Sequence, residues 1–478
     1  MKKKYIIVIV VILCALVSGL LIIHPNNNKS SKKEEKTQIN YEQEDIDWSK
    51  YETHELELTD SITIKEPGVY YLTGIIKDGL ITINTDGPVK LILENASITN
   101  SNGPAIYVEN AQVTYIELEE NTENTLIDGG SSELDGTIYS KDDLIIEGDG
   151  KLNITANNQD GIVSKDNLVI NSGNIVINSK DDGIRGKDSV VIKDGNIQIT
   201  SEGDGIKTTN DKEDDKGNIL IEGGNIVINS KLDGIQAENI LKIMGGTFDI
   251  TTGSGSSVKS TNSMMSQKNN TEESKKGLKA SGNIEITGGT FNLNTEDDAI
   301  HSNSSLTISG GDYTISSGDD GIHADSLLEI NDGTFNINAS EGIEGTYVKI
   351  NEGNINISSS DDGINAGHKS DEYSVTIEIN GGNITIKMDN GDTDGIDSNG
   401  NLYINGGTID ITANSPFDYD GEAKYSGGTI IVNGETTNTI TNQMMTGPGR
   451  DMNRDNQEGG MNQAPGNDVN RGGRGNFR

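Results

Sequence analysis

One cysteine, seven prolines, five phenylalanines and a single tryptophan serve a chain of 478 residues. With Cys14 alone, no disulfide can form within the chain, and its place inside an apolar run makes it a poor catalyst or metal ligand. Hydrophobic residues make up 32% and aromatic residues 4%, against roughly 45–50% apolar in an ordinary compact domain. A large three-dimensional core is therefore excluded. Basic residues are scarce too, 37 against 75 acidic ones, and the net charge of −38 excludes a nucleic-acid partner. Arg185 is the one arginine before the C-terminal tail. Phosphate loops, zinc-type His/Cys spacings and Gly-x-Ser-x-Gly are missing. Trp48, being single, excludes an exposed row of tryptophans for stacking neutral sugars.

What is present is glycine, 59 residues of it, and periodicity. Lys2, Lys3 and Lys4 precede an apolar run over Tyr5–Ile23, the order of an export signal or a retained membrane anchor. Membrane association is expected through this segment alone, if it is kept. Residues 24–50 read as a flexible polar linker and 444–478 as a disordered Gly-, Asn- and Arg-rich tail. Between them, over 51–443, a repeat takes over.

Aligning the isoleucines of the Asp-Gly-Ile triplets exposes it: Ile162, Ile184, Ile206, Ile235, Ile300, Ile322, Ile343, Ile364 and Ile396. Where no insertion intervenes the interval is 21 or 22 residues. Each unit reads as a Gly-Ile turn, a short strand such as Leu306–Ile308, a glycine pair, and a second strand such as Tyr313–Ile315. Short strands split by glycine at that period cannot form long hairpins. They form coils of a right-handed, single-stranded parallel β-helix, a solenoid of about 22 residues per coil stacked at about 4.8 Å. A column of small residues two places after the repeat Ile, from Ser140 and Ser164 to Ala366 and Ser398, marks a tight inward corner. The intrusions at 210–216 and 367–373 follow that column and should leave the rod on one edge. A Ser-, Met- and Asn-rich insertion at about 253–275 is expected to be mobile.

Two aligned columns carry charge. Before each Gly-Ile stand Asp160, Asp181 with Asp182, Asp204, Asp233, Asp297 with Asp298, Asp319 with Asp320, Glu341, Asp361 with Asp362, and Asp394. Like charges about 5 Å apart need water, lysines or cations between them. Calcium suits such clustered oxygens, and the Asp-Asp pairs are its strongest candidates, because a turn needs only one of the two. The competing reading is turn capping by each Asp side chain. Just after the repeat Ile lies a basic column, Arg185, Lys207, Gln236, Lys279, His301 and His323. It reads either as a grip for polymers with regularly spaced carboxylates or as compensation of the acidic row. His301 and His323 are also a candidate transition-metal pair. A further Lys-Asp pattern, at Lys141, Lys165 and Lys187, reads as a solvated ion-pair ladder or as ligand contacts.

The runs Ala105–Val108, Thr122–Leu126, Ile138–Leu144, Asp160–Asp166, Asp181–Asp188, Lys276–Ala280 and Asp297–Ser302 together resemble the bacterial carbohydrate-binding β-helix proteins of clostridial surfaces. The likeness spans about residues 55–435 in one order. It implies a fold related to pectate lyases, bound calcium, and affinity for acidic plant cell-wall polysaccharide such as polygalacturonate, without established catalysis. The chain departs from the pattern at Lys276, where an acid is usual, and in lacking a lipoprotein-processing signal around Cys14.

The reading is then an extracellular or cell-surface monomer that binds acidic polysaccharide through calcium. Asp160, Asp181, Asp182, Asp204, Asp297, Asp298, Asp319, Asp320, Asp361 and Asp362 would hold the metal. Lys165, Arg185, Lys187 and Lys207 would contact the glycan. Two alternatives stand beside it: a calcium-dependent pectate-type lyase, with Arg185, Lys187 or Lys207 as base, and a surface adhesin or structural protein.

Overall fold

In a computed structural model the described residues are 39, 45–130, 132–256, 273–389 and 393–442. The export-type segment, most of the linker, the middle of the Met-rich insertion and the tail lie outside them. All described residues belong to one unit beginning at Ile39.

The repeat builds a parallel β-helix with three strands per coil, one more than the sequence reading allowed. The Gly-Ile segment taken for a turn is itself a strand. One coil comprises Asp160–Ser164, Asn167–Ile170 and Asn174–Ser179; the next comprises Ile184–Gly186, Ser189–Ile192 and Asn196–Ser201. Each strand pairs in parallel with its counterpart in the next coil, in register: Ile162 with Ile184, Leu168 with Val190, Ile175 with Ile197. Three stacks result. The first starts at Ile62–Ile64 and ends at Ser415–Tyr419. Glu435–Thr437 closes the third by folding back antiparallel on Thr429–Val432.

Alternation decides which side chains face inward. In Asn196–Ser201 every second residue is buried, starting with Ile197, while Asn196, Gln198 and Thr200 are exposed. Stacked isoleucines and leucines fill a thin continuous core. In the third stack, Phe248, Phe291, Tyr313 and Phe335 form an interior ladder whose ring centroids are 4.6–4.7 Å apart. That spacing is one coil rise, so the rings stack without shifting the backbone.

Glycine has two separate uses here. Between the second and third strands it takes the left-handed conformation, as at Gly224 with φ +100°. The Asp-Gly-Ile glycine does something else. A Cβ on Gly205 would lie 2.5 Å from the Gly234 carbonyl oxygen and 2.5 Å from Ile228 Cγ2. It is glycine because the next coil touches it, not because a turn demands it.

The small-residue column is buried as expected, with Ser140, Ser164, Ala237, Ala280 and Ser302 at zero exposure. The intrusions at 210–216 and 367–373 both follow strands of the first stack, Ile206–Thr208 and Ile364–Ala366, and so leave one edge. Two boundaries shift. Trp48, read as linker, packs with Ile46 on an outer apolar patch of Val113, Tyr115, Ile145, Val169 and Val191. The ends of the Met-rich insertion are pinned to Glu296, by the Ser254 N–H and hydroxyl at 2.7 and 2.8 Å and by Lys275 Nζ at 2.5 Å.

Candidate functional site

The acidic row lies where each coil enters the first stack. The second Asp of each pair turns inward: Asp182, Asp298 and Asp320 are buried, as are Asp160, Asp204 and Asp233, while Asp181 and Asp361 are exposed. The inward carboxylates form a ladder. Asp160 Oδ1 accepts the Asp182 backbone N–H at 2.9 Å, Asp182 Oδ1 that of Asp204 at 2.9 Å, and Asp204 Oδ1 that of Asp233 at 2.8 Å. The series continues from Asp233 to Lys276 at 2.7 Å, from Asp298 to Asp320 and from Asp362 to Asp394, both at 3.2 Å. Each Asp thus caps the turn of the next coil rather than its own, which corrects the turn-capping reading.

The other oxygen of each carboxylate meets the basic column. Arg185 Nη2 is 2.5 Å from Asp160 Oδ2 and 2.5 Å from Asp135 Oδ2. Lys207 Nζ lies 2.6 Å from Asp204, Lys279 Nζ 2.8 Å from Asp233, His301 Nδ1 2.7 Å from Asp298, and His323 Nδ1 2.8 Å from Asp320. Turned nitrogen-first, the Gln236 amide reaches Asp233 and Asp204 at 3.1 and 3.2 Å. Lys276, the departure from the family pattern, keeps the ladder through its backbone and neutralises the next coil, with Nζ 2.6 Å from Asp298 and 3.1 Å from Asp297.

From Arg185 to His323 the basic column therefore compensates the row. Arg185 and Lys207, expected to contact a ligand, are half-buried and paired with Asp160 and Asp204. Burial opposes the charge on Lys207, yet Asp204 and Asp182 overcome it and hold the ammonium above its ordinary range. Lys187 is exposed and loosely paired with Asp188 at 3.6 Å. Lys165 stands 5.2 Å over the Tyr139 ring and 3.7 Å from Asp135, and Lys141 stands 5.4 Å over Tyr107. Lys141 and Lys165 thus sit over rings of the preceding coil rather than in a Lys-Asp ladder.

The sequence reading stopped this column at His323. The register continues it through Glu344, Asn365, Asp397 and Asp418, so it changes sign just where the row supplies Glu341, Asp361, Asp362 and Asp394. Lys369 offers a cation here, 2.7 Å from Glu344. Burial and then Glu341, Asp397 and Asp361 push the Asp362 carboxyl up to about 8. Burial and then Asp394 push Asp397 up to about 6. Burial and then Glu344 push Glu341 up to about 7. Asn365 Nδ2 donates to Glu341 Oε2 at 2.9 Å, while its buried Oδ1 has no partner among the described residues. Extending the same alignment by three units, to Ile343, Ile364 and Ile396, would have found Glu344, Asn365 and Asp397.

Elsewhere the row brings candidate ligand atoms within 4.8 Å of one another in Asp160/Asp181/Asp182 and Asp297/Asp298/Asp319. In the first set Arg185 already sits on Asp160, and in the second Lys276 sits on Asp297 and Asp298. The outward face of the third stack adds a shallow groove of about 340 Å³, lined by Thr314, Ser316, Asn336, Asn338, Asn356 and Ser358 among others.

A family model described as carbohydrate-binding domain-containing protein matches residues 59–321 and 319–446. A carbohydrate-binding domain-containing protein of Acetivibrio thermocellus is 36% identical over 126 residues, which are 24% of this chain and 44% of that protein. The match thus spans less than half of the relative's length. A solved structure, a polysaccharide lyase-like protein from C. thermocellum in a gadolinium derivative, is 34% identical over 40% of this chain and 81% of its own, with a TM-score of 0.39.

Proposed function

Since this chain belongs to the family of carbohydrate-binding domain-containing proteins, we propose that it binds acidic polysaccharide, such as polygalacturonate, outside the cell and through calcium. One observation carries this reading: after His323 the column turns from basic to acidic, and Glu341, Asp362 and Asp397, crowded by burial and by neighbouring carboxylates, are all pushed above the ordinary carboxylate range. A protein of net charge −38 repels a polyuronate. A divalent cation shared between protein and sugar carboxylates turns that repulsion into a bridge.

Fewer cations compete for the carboxylates of these C-terminal coils than around Arg185, while among the described residues no three of these carboxylates bring ligand atoms within 4.8 Å of one another. The donors are all oxygen, Asn365 Oδ1 is a buried acceptor with no partner among the described residues, and ionisation of Asp362 is held back by burial and then by its acidic neighbours. Glu341, Asp362, Asn365 and Asp397 would hold the ion, and bound calcium would supply the positive charge that a uronate needs. Sites of this sort work at about 10⁻⁴–10⁻³ M calcium, as found outside cells. Ser358 in the groove lies three residues before Asp361, where one coil passes into the next, so hydroxyls and amides for the rest of the sugar adjoin the carboxylates. Of the candidate bases, Arg185 is paired with Asp160 and Lys207 with Asp204, which leaves Lys187 as the exposed one for a lyase reading.

The test is binding of the folded chain to polygalacturonate and to a neutral glucan, in calcium and in chelator, with product absorbance followed throughout. Retention on polygalacturonate that vanishes with chelator is expected. Equal retention in chelator overturns the calcium bridge. No retention on any glycan moves the protein to the adhesin class, and an unsaturated product would make it a lyase.

A further inference from the structure

Imidazole enters the first stack in two successive coils, at His301 and His323, whose rings stack with centroids 4.5 Å apart. Around His323 the setting is unusual for a simple ion pair. His323, Asp320 and Glu344 are each more than nine-tenths buried, at 6, 7 and 5% exposure. The Nδ1 atom lies 2.8 Å from Asp320 Oδ2 and 2.8 Å from Glu344 Oε2. One Nδ1 proton can make one straight hydrogen bond, so two carboxylate oxygens converge on a nitrogen with a single proton to give.

We propose that His323 Nδ1, Asp320 Oδ2 and Glu344 Oε2 form a binding site for a divalent transition-metal ion of the zinc type, separate from the oxygen-only calcium corner. A nitrogen donor with two carboxylates selects zinc, cobalt or nickel over calcium, which prefers oxygen alone. Zinc bonds of about 2.0–2.1 Å place tetrahedral donors roughly 3.3 Å apart, so the observed 2.8 Å contacts need to open by only about half an ångström.

Two ligands already have the outer partner that fixes a metal-binding group. His323 Nε2 faces Asp325 Oδ1 at 3.1 Å, which leaves Nδ1 as the metal-facing nitrogen. Glu344 Oε1 is held by Lys369 Nζ at 2.7 Å, which leaves Oε2 for the ion. One coil back, Asp298 and His301 bring further ligand atoms within 4.8 Å of a His323 ring nitrogen, as a second group that shares this histidine. On binding, the ion takes the place of the Nδ1 proton, which leaves to solvent.

The test is titration of the full chain, stripped by chelator, with cobalt(II) as a visible reporter and then with zinc. One ion per chain is expected, with the strong visible absorption of low-coordinate cobalt, displaced by zinc but not by a roughly hundredfold excess of calcium. Affinity should fall by at least about tenfold in Glu344→Gln and further in His323→Gln. Should His323→Gln unfold, as circular dichroism would show, Glu344→Gln decides alone, because it leaves the His323–Asp320 pair intact. No cobalt absorption, displacement by calcium, or unchanged affinity in Glu344→Gln overturns the site and leaves His323 as an imidazolium counter-ion. Glycan is not read in this experiment, so its outcome is independent of the polysaccharide reading.

Discussion

Arg185 reaches one coil back to place Nη2 2.5 Å from Asp160 Oδ2, and the same nitrogen is 2.5 Å from Asp135 Oδ2. The arginine is four-fifths buried, at 19% side-chain exposure, and Asp160 is fully buried. Removing one partner of such a group leaves a buried charge without compensation, at a cost of about 3–5 kcal/mol.

Arg185→Gln should therefore destabilise the coil by about 3 kcal/mol, read by chemical denaturation, and leave glycan retention per folded molecule unchanged. Lys187→Ala, at an exposed position, should stay within about 0.5 kcal/mol of the parent. Selective loss of glycan binding with normal stability in Arg185→Gln would return this residue to the ligand surface.

Gly205→Ala tests coil contact against turn conformation. The added methyl would meet the Gly234 carbonyl oxygen and Ile228 Cγ2 at 2.5 Å each. Backbone cannot rotate away as a side chain can, so a loss of about 1–3 kcal/mol is expected. At the equivalent place Ala299 is accommodated with zero exposure, its N–H still bonded to the Asp320 carbonyl of the next coil at 2.9 Å. Ala299→Gly should cost less than Gly205→Ala in the same denaturation assay, and a neutral Gly205→Ala would refute the close-contact account.

Acid should at first strengthen the metal-free protein. Burial, the largest cause in each case, raises Asp160 to about 7, Asp204 to about 6, Glu341 to about 7 and Asp362 to about 8. Between the unfolded value near 4 and these folded values, the native state keeps protons that the unfolded chain has lost, so stability falls as pH rises from about 4 to about 8. His323, raised to about 11 by its carboxylate partners against burial, adds a term of the same sign above its unfolded value of about 6.5. Glu296, which Lys275 lowers to about 2, works oppositely and withdraws stability as pH falls below about 4.5. Thermal midpoints in chelator should peak at about pH 4 to 4.5 and decline toward pH 8. A midpoint that rises steadily to pH 8 would contradict the buried acidic row.

The fold was legible because a solenoid repeats its instructions. Ile162, Ile184 and Ile206 announce the period, and the small column at Ser140 and Ser164 announces the inward corner. The third strand was missed because Ile184–Gly186 is three residues long and carries a glycine, the composition of a turn. The two charged columns were legible as columns, but not as partners. Sequence gives their order along a coil and not whether Arg185 points outward or back to Asp160. Asp135 escaped because its coil lacks the Asp-Gly-Ile triplet by which the others were aligned. Glu344, Asn365 and Asp397 escaped for a different reason: an alignment followed for its basic members ends where they end.

Asp362→Asn separates charge from hydrogen bonding in the corner that those three residues create. The amide oxygen of asparagine can still accept the Asp394 backbone N–H, now at 3.2 Å from Asp362 Oδ1, so the ladder survives. What disappears is a carboxylate that its neighbours and its burial both oppose. In chelator the variant should be more stable than the parent at pH 8, by about 1–2 kcal/mol once water at the rim is allowed for. In calcium the order should reverse, because the parent gains a metal contact that the amide replaces poorly. Paired thermal melts with and without calcium read both signs at once. A variant less stable than the parent in both conditions would mean that Asp362 serves the ladder alone, and the calcium corner would have to be sought elsewhere along the row.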